Sequence, residues 1–272
     1  MRVSLIQMRS VSNKAENVAT ADRLARQAVA EDHPDLVIFP EHFDWAGGSV
    51  AEKIGAGEES GGGPAYDMCR TLAIECGIFV HSGSFYEKTP DGARVYNTTV
   101  VFNPQGGEIG RYRKIHLFDI STPDGMRYGE SKSVAPGTET AVVDIGGFKI
   151  GLAICYDLRF PELFQELMRK GADAIALPAA FTTQTGKDHW EVLCRARAIE
   201  TECYFMACGQ IGVFDQDGEK RSDYGHSLFC DPWGHVVARA SDQVGFVTAK
   251  LDKNLIARIR KQIPLALHKV LS

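Results

Sequence analysis

The stretch FKIGLAICYDLRFPELFQELMRK, residues 148–170, holds a strand, a turn and a helix in direct succession. Residues 148–154 form a mostly apolar run of strand length, and residues 161–170 carry their apolar side chains at helical spacing. Cys155 lies between the two, at a strand-to-helix elbow. The stretch therefore predicts an α/β fold in which a strand delivers a thiol to a turn.

Alternating strand and helix patterns continue from this stretch to both ends of the chain. Hairpins are predicted for residues 95–103 with 110–112, for 140–144 with 148–154, and within 225–239. No linker, charge block or repeat interrupts the alternation, so we expect a single domain over residues 1–272. Further strands are predicted at residues 3–7, 36–39, 78–82, 174–177, 204–207 and 244–250, and further helices at residues 13–30, 66–76, 187–201 and 254–261.

Two segments lack a periodic pattern. Residues 47–64 are rich in Gly, Glu and Ser and are predicted to be a loop. Residues 114–136 have only isolated apolar residues among Asp, Pro, Gly and Ser. Because a structureless loop of that length in a compact domain is usually functional, residues 114–136 are a candidate part of an active site.

The composition indicates a small polar substrate rather than a macromolecular partner. The 272 residues are 44% apolar and 24% charged, with 30 Lys and Arg against 35 Asp and Glu. A net charge of −5 without a basic stripe leads us to expect no nucleic-acid binding. The chain has neither a signal-peptide pattern nor a run of about 18 apolar residues, so we expect a cytoplasmic protein without a membrane partner.

The cysteines and histidines follow no disulfide or metal-binding pattern. The seven cysteines form no CxxC pair, which argues against both a disulfide framework and a zinc ribbon. The eight histidines lack ligand spacing, and residues 61–64 lack the ending of a phosphate-binding loop. We therefore expect no metal and no other cofactor.

Three residues whose side chains can take part in catalysis lie at predicted strand ends: Glu41, Lys114 and Cys155. Each alone is more often a core or surface residue, but neighbouring strands would bring all three into one pocket. A free thiol has a pKa of about 8.5, so a cysteine nucleophile needs a nearby base or cation, which Glu41 and Lys114 can supply. Lys114 and the backbone N–H of Tyr156 are candidate donors to an oxyanion.

The sequences around these residues resemble the nitrilase superfamily of carbon–nitrogen hydrolases. The flanking motifs are VIFPE at 37–41, YRKIHLFD at 112–119 and GLAICYDLRFPEL at 151–163. Further matching motifs are HWE at 189–191, RARAIET at 195–201, GHS at 225–227 and DPWG at 231–234. The resemblance covers essentially the whole chain and implies a four-layer αββα sandwich.

The resemblance also implies a role for each residue of the site. Glu41 is expected to be the general base, Lys114 the stabiliser of the tetrahedral intermediate and Cys155 the nucleophile. Glu130, in GESK at 129–132, matches the position of a second glutamate that orients the lysine and the substrate. The alternative for Glu130 is a solvated loop carboxylate.

Within the superfamily, the flanks are most similar to amidases that act on small carboxylate-bearing amides. The leading expectation is an amidase of the deaminated-glutathione type, which forms a thioester on Cys155 and releases an acid and ammonia. The alternative within the family is an ω-amidase acting on α-ketoglutaramate or succinamate. A catalytically silent binding scaffold would be free to lose Glu41, Lys114 or Cys155, and a thiol redox protein would need a resolving cysteine near Cys155.

Arg159 is the candidate for binding the substrate carboxylate, because it follows the nucleophile by four residues and carries a planar, bidentate donor group. An ion pair with Glu162 or Asp157 is its structural alternative. Phe181 and Thr185, predicted on the loop after the strand at 174–177, are candidates for completing the same wall.

The tail at residues 263–271 begins with the run IPLAL at 263–267, which is too apolar to be left in water without a partner surface. The resemblance implies dimers, and we expect this tail and the helix at residues 161–170 to be buried against a second copy of the chain. A two-fold homodimer is the default expectation, with a higher homo-oligomer as the alternative.

Overall fold

Two large sheets organise the fold, and the computed structural model describes residues 1–122, 125–216 and 218–270. The strands are β1 (Arg2–Gln7), β2 (Leu36–Ile38), β3 (Phe79–His81), β4 (Phe85–Lys88), β5 (Val95–Phe102), β6 (Glu108–Arg113), β7 (Asp119–Ser121), β8 (Arg127–Gly129), β9 (Val134–Ala135), β10 (Ala141–Ile145), β11 (Phe148–Leu152), β12 (Ala174–Ala179), β13 (Tyr204–Gly209), β14 (Ile211–Gln216), β15 (Glu219–Tyr224), β16 (Leu228–Cys230), β17 (Val236–Arg239) and β18 (Gly245–Lys250). The helices are α1 (Lys14–Asp32), α2 (Val50–Gly55), α3 (Pro64–Cys76), α4 (Pro161–Arg169), α5 (Thr183–Thr201), α6 (Lys253–Gln262) and α7 (Leu265–His268).

The first sheet has the order β18-β1-β2-β3-β5-β4, with β6 and β9 also paired to β5. The second has the order β10-β11-β12-β13-β16-β17. Strands β1, β2 and β3 are parallel, and so are β11, β12 and β13. Because parallel neighbours need a crossover, a helix lies between each consecutive pair: α1 and α3 in the first sheet, α4 and α5 in the second.

The alternation of side chains along β2 shows how the layers stack. Leu36 and Ile38 pack in a core shared with the second sheet and with helices α4 and α5, whereas Val37 packs in a separate core with helices α1 and α3. Since successive side chains of a strand point to opposite faces, the first sheet is buried on both sides. The layers are helix, sheet, sheet and helix, and the predicted four-layer αββα sandwich is confirmed.

Local sequence signals set the ends of the helices. Helix α1 begins after Asn13, whose side chain accepts from the Glu16 N–H. Helix α4 begins at Pro161, which needs no intrahelical N–H partner, and it buries one apolar stripe against the second sheet. No helix in the described part of the chain combines the length and apolarity needed to cross a membrane.

The prediction of a structureless loop at residues 47–64 is wrong, because α2 lies inside it. Ser49 and Glu52 form a capping box at the start of α2, a signal that stands in the sequence as S-x-x-E. Residues 114–136 are also partly regular and contain β7, β8, β9 and a single 3₁₀ turn, Glu130–Lys132.

Thr185 was predicted to lie on a loop, but it lies in the first turn of α5. The helix begins at Thr183, four residues before its predicted start, because the Thr182 hydroxyl accepts from the Thr185 N–H and caps it. Strand β4 and the hairpin β14–β15 were not predicted. The hairpin matters for the site, because it forms part of the cavity wall described below.

Candidate active site

The four residues predicted to be catalytic lie close to strand ends. Three of them follow a strand directly or closely, and the fourth lies in the segment between β6 and β10. Glu41 follows β2, Lys114 follows β6 and Cys155 follows β11. Glu130 starts the 3₁₀ turn between β8 and β9. The carboxyl ends of parallel strands meet at one edge of a sheet, so the sandwich brings these positions together.

Lys114 connects the two glutamates. Its Nζ donates to Glu41 Oε1 at 2.9 Å and to Glu130 Oε2 and Oε1 at 2.9 and 3.1 Å. The Lys114 side chain is 2% exposed, so its charge is paired almost entirely by these carboxylates. Burial lowers the pKa of Lys114, but Glu130 and Glu41 raise that pKa well above its ordinary value. Lys114 is therefore a fixed cation.

Glu41 is held from both sheets. The Ala180 N–H, just after β12, donates to Glu41 Oε2 at 2.8 Å, and Gln210 Nε2, just after β13, donates to the Glu41 carbonyl at 3.0 Å. Burial raises the pKa of Glu41, but the charge of Lys114 and hydrogen bonds from Cys155 and Lys114 bring the pKa below its ordinary value. Glu41 is therefore ionised and oriented to accept a proton.

Cys155 occupies the elbow in a strained backbone conformation. Its φ is +48°, in the left-handed region that non-glycine residues rarely adopt. Burial and the adjacent Glu41 carboxylate raise the pKa of the Cys155 thiol well above its ordinary value, although Lys114 lowers it. The resting group is a neutral thiol that shares the cavity with the Glu41 carboxylate, which makes Glu41 the candidate base for this thiol.

Glu130 is fixed by contacts other than Lys114. The Phe118 N–H donates to Glu130 Oε2 at 2.6 Å, and Asn97 Nδ2 lies 3.4 Å from Glu130 Oε1. Asn97 Nδ2 also donates to Glu41 Oε1 at 2.8 Å. The structure thus brings Glu41, Lys114, Cys155 and Glu130 into one network.

Two residues that support this network were not identified from sequence. Asn97 is the first of three successive polar residues within the strand VYNTTVVF of β5, and that polarity was its only signal. Asp157 is fully buried. Its carboxylate accepts from the Ile154 N–H at 2.8 Å and from the Tyr112 hydroxyl at 2.6 Å. The same carboxylate lies 2.7 Å from His116 Nδ1. Asp157 therefore ties the elbow to the segment that carries Lys114.

The network opens on a cavity of about 130 Å³. Its wall includes aromatic side chains and residues of the hairpin β14–β15. The described residues of the wall are Glu41, His42, Ala46, Gly47, Lys53, Tyr86, Lys114, Phe118, Tyr128, Gly129, Glu130, Ser133, Val134, Cys155, Ala180, Thr182, Gln210, Phe214, Gln216, Arg221, Ser222 and Asp223.

The predicted substrate-binding residues are not among these described wall residues. The Arg159 guanidinium lies 5.4 Å from the ring centroid of Phe181 and 6.0 Å from that of Tyr156, and its Nη1 is 3.4 Å from His189 Nδ1. The Thr185 N–H donates to the hydroxyl of Thr182, and Thr182 caps α5 and does line the cavity. Tyr156 directly follows Cys155 in the 3₁₀ turn Cys155–Arg159, and the oxyanion role of its N–H stays a prediction.

Glu41, His42 and Glu130 place one ligand atom each within 4.8 Å of one another, a spacing that a metal ion could use. The Lys114 ammonium already bridges the two carboxylates of this group, however. A cation at the same point would face the charge of Lys114. The absence of a metal from the reaction stays a prediction.

This arrangement of a thiol, a carboxylate base and a fixed cation is one that can perform acyl transfer. The model of the family described as carbon–nitrogen hydrolase matches residues 2–261. The chain therefore belongs to the carbon–nitrogen hydrolase family, and the resemblance inferred from its motifs is confirmed.

Particular relatives share most of this chain. A deaminated glutathione amidase of Homo sapiens is 40% identical over 272 residues, covering 98% of this chain and 81% of that protein. An omega-amidase of Xenopus tropicalis is 36% identical over 272 residues, covering 97% of this chain and 93% of that protein. The crystal structure of the NitFhit protein of C. elegans matches this chain with a TM-score of 0.89 and 35% sequence identity. The match covers 98% of this chain and 64% of the NitFhit chain.

Proposed function

We propose that this protein is an amidase that hydrolyses the C–N bond of a small carboxylate-bearing amide through a thioester on Cys155. The observation that carries the proposal is the convergence of the Cys155 thiol, the ionised Glu41 and the fixed charge of Lys114 in one cavity, with Lys114 Nζ 2.9 Å from Glu41 Oε1. A base, a nucleophile and a cation within one cavity are the groups that acyl transfer requires.

In the first half of the reaction, Glu41 takes the thiol proton as the Cys155 sulfur attacks the carbonyl carbon. A C–S bond forms and the carbonyl becomes an oxyanion, for which Lys114 and the Tyr156 N–H are the proposed partners. The intermediate collapses when the C–N bond breaks. Protonated Glu41 then gives its proton to the leaving nitrogen, which departs as ammonia or an amine.

In the second half, Glu41 deprotonates a water molecule that attacks the thioester carbonyl. A C–O bond forms, the C–S bond breaks, and the departing sulfur recovers a proton from Glu41. The products are a carboxylic acid and the free thiol. Glu130 is the proposed positioning residue, because it accepts a second hydrogen bond from the Lys114 Nζ that also donates to Glu41.

The proposed substrate is of the deaminated-glutathione type, which the 40% identical human relative supports. The second candidate is an ω-amidase substrate such as α-ketoglutaramate or succinamate, supported by the 36% identical relative from Xenopus tropicalis. Arg159 and Phe181 remain proposed contributors to substrate binding, and Thr185 contributes through the cap at Thr182.

Parallel assays of one enzyme preparation test the proposal. Deaminated glutathione, α-ketoglutaramate, succinamate, an N-carbamoyl amine and a simple nitrile are compared by the acid and the amine or ammonia released. We expect the carboxylate-bearing amides to be hydrolysed far faster than the other two compounds, and Cys155→Ala to remove that activity. Faster turnover of the nitrile or the N-carbamoyl amine would overturn the proposed substrate class.

We also propose a homodimer built on the C-terminal tail and α4. Ile263, Leu267 and Val270 are 42%, 84% and 93% exposed, and Lys269 Nζ lies 3.2 Å from Gln165 Oε1 on α4, so the tail and α4 are adjacent. Residue 271 of the predicted interface lies outside the described residues. Sedimentation at micromolar concentration should give a dimer that Leu267→Glu dissociates, and a fully active monomer would contradict the proposal.

We propose the cytoplasm as the location of the protein. All seven cysteines are free thiols, a state typical of reducing compartments. Cell fractionation followed by immunodetection tests this, and recovery of the protein in an oxidising compartment would contradict it.

A further inference from the structure

The hairpin β14–β15 forms a wall of the cavity beside the proposed general base. The Ala180 N–H donates to the Glu41 carboxylate at 2.8 Å, and two residues further on Thr182 forms a β-bridge with Asp223 of β15. Burial first, and then the negative charge of Glu41, raise the pKa of Asp223 well above its ordinary value, so the charge of Glu41 reaches the hairpin. The hairpin is therefore the wall of the cavity next to the Glu41 carboxylate.

The position of Glu41 decides which half of an amide this wall can contact. In the proposed mechanism, Glu41 gives its proton to the leaving nitrogen, so that nitrogen has to come within hydrogen-bond distance of the Glu41 carboxylate. The amine half of the substrate extends from this nitrogen, whereas the acyl half extends from the carbonyl carbon that Cys155 attacks. Binding groups on the hairpin are therefore placed to contact the amine half.

Arg221 is a buried arginine of this wall with unused donors. Its side chain is 8% exposed, and its guanidinium lies 4.2 Å from the ring centroid of Tyr128. Nη2 donates to the Arg127 carbonyl at 3.3 Å and to Glu219 at 3.0 Å. Among the described residues, Nε and Nη1 have no hydrogen-bond partner although both are buried. A buried charged donor without a partner is unfavourable, so these N–H groups indicate a missing acceptor.

The charge of Arg221 is only weakly balanced. Its carboxylate partner Glu219 is 64% exposed, so solvent screens that pair. The raised pKa of Asp223 disfavours a negative charge on that carboxyl, which therefore contributes little to balancing Arg221. In contrast, the Lys114 charge faces two carboxylates at 2.9 Å. The acceptor that Arg221 lacks is therefore best supplied by an anion.

Arg159 has different neighbours from Arg221, so the two arginines can serve different halves of one substrate. Arg159 ends the 3₁₀ turn after the nucleophile strand, and its guanidinium lies 6.0 Å from the ring centroid of Tyr156 in that turn. Arg159 stays the proposed partner for a carboxylate on the acyl half. Arg221 instead lies on the hairpin, on the side of the general base.

We propose that Arg221 binds a carboxylate on the leaving amine, so that the preferred substrate is a substituted amide whose amine half is itself an acid. The inference rests on the proposed amidase function and adds the class of leaving group. A guanidinium with unpartnered donors and a weakly balanced charge matches the oxygens of a carboxylate. Of the substrates proposed above, deaminated glutathione has such an amine half, the dipeptide cysteinylglycine, whereas α-ketoglutaramate and succinamate release only ammonia.

Three substrates with the same acyl half provide the test: deaminated glutathione, its C-terminal carboxamide and α-ketoglutaramate. Their leaving groups are cysteinylglycine, cysteinylglycinamide and ammonia, so the first two differ only in the carboxylate of the amine half. In the wild type, we expect a higher kcat/KM for deaminated glutathione than for its carboxamide.

Variants of the hairpin then assign this preference to one residue. In Arg221→Gln, the ratio of the kcat/KM values for deaminated glutathione and its carboxamide should fall about 10- to 150-fold, mainly through the KM of deaminated glutathione. Arg221→Lys keeps a positive charge and should retain more of the ratio than Arg221→Gln. The matched control is Lys220→Gln, which removes a neighbouring, 74% exposed cation of the same strand and should leave the ratio unchanged.

The outcomes separate the two levels of the proposal. If the wild type hydrolyses none of the three substrates, or Cys155→Ala retains activity, the amidase function itself fails. If α-ketoglutaramate is hydrolysed but deaminated glutathione is not, or deaminated glutathione and its carboxamide have equal kcat/KM, only the role of Arg221 is overturned, and this comparison needs no variant to fold. Equal losses on deaminated glutathione and its carboxamide in Arg221→Gln would overturn that role as well.

Discussion

Lys114 Nζ donates to Glu41 Oε1 at 2.9 Å in a cavity whose wall also includes Cys155, so the cation, the base and the nucleophile are together before any substrate arrives. The Ala180 N–H donates to the other oxygen of the Glu41 carboxylate at 2.8 Å. Proton transfer therefore needs no large movement of side chains. This preorganisation is the physical basis of the proposed mechanism.

The pH dependence of the reaction should be flat near neutrality. The pKa of Glu41 lies below its ordinary value, that of Cys155 well above, and burial lowers the pKa of His42 despite the nearby Glu41 and Glu130. Glu41 and Cys155 then keep their charge states between about pH 6 and pH 8, and the lowered pKa of His42 moves its titration toward the acid end of that range. We expect kcat/KM on an uncharged amide to stay within about twofold over that range. A tenfold rise per pH unit would instead indicate a titrating thiol.

Replacing Lys114 by methionine should destabilise the protein as well as inactivate it. The change leaves Glu41 and Glu130 as partly or fully buried carboxylates without their cation, which costs roughly 3–5 kcal/mol of the free energy of unfolding at pH 7. Urea unfolding measures this, with Lys187→Met, at a 61% exposed lysine, as the control.

The pH dependence of that loss has a definite sign. Because the folded pKa of Glu41 is depressed, its stabilising effect is present above its ordinary value of 4.5 and is lost as pH falls through the folded pKa. The stability difference between wild type and Lys114→Met should therefore shrink as the pH is lowered from 7 into the acid range below 4.5. A difference that grows with acidification would contradict the ionised state of Glu41.

Glu130→Gln tests the positioning role of Glu130. Glutamine keeps an oxygen that can accept from the Phe118 N–H but loses the charge that faces Lys114. We expect kcat to fall by about 10²-fold with a smaller change in KM, since the oxyanion partner is then less well oriented. The control Glu59→Gln, at a 76% exposed carboxylate, should have wild-type kinetics. Unchanged kcat in Glu130→Gln would contradict the positioning role of Glu130.

The backbone strain at Cys155 predicts an unusual order of stabilities. At φ +48°, glycine avoids a cost of about 1 kcal/mol that alanine retains, so Cys155→Gly should unfold at higher urea concentration than Cys155→Ala. Cys194, in the interior of α5, is the matched control, because glycine there should be less stable than alanine by about 1 kcal/mol. The same order at both positions would show that the elbow is unstrained.

The sequence predicted those parts of the fold whose signals are local and apolar. The strands at β1, β2 and β11 are short buried runs, and the elbow at Cys155 follows from a strand pattern that meets a helix pattern. The hairpin β14–β15 was missed, because most of its residues are partly or fully exposed and give no apolar run. Its position depends on contacts with α5 and with the segment around Gly48.

The site residues could be predicted from sequence only where they stand in a recognisable motif. Distinctive flanking sequences surround four of them, so the family resemblance identified Glu41, Lys114, Glu130 and Cys155. Asn97 has no such flank, and its importance follows from a hydrogen bond to Glu41 that is visible only in three dimensions. Spacing along the chain also favoured Arg159, which the structure places beside the ring of Tyr156, and its role in substrate binding stays a prediction.

The most direct measurement of the central claim is intact-protein mass spectrometry of the enzyme during turnover of succinamate. After an acid quench, the protein should carry one acyl group, and peptide mapping should place it on Cys155. The adduct should disappear when substrate is exhausted and be absent in Cys155→Ala. Hydrolysis that proceeds without an adduct in wild type, or with the acyl group on one of the other six cysteines, would contradict nucleophilic catalysis by Cys155.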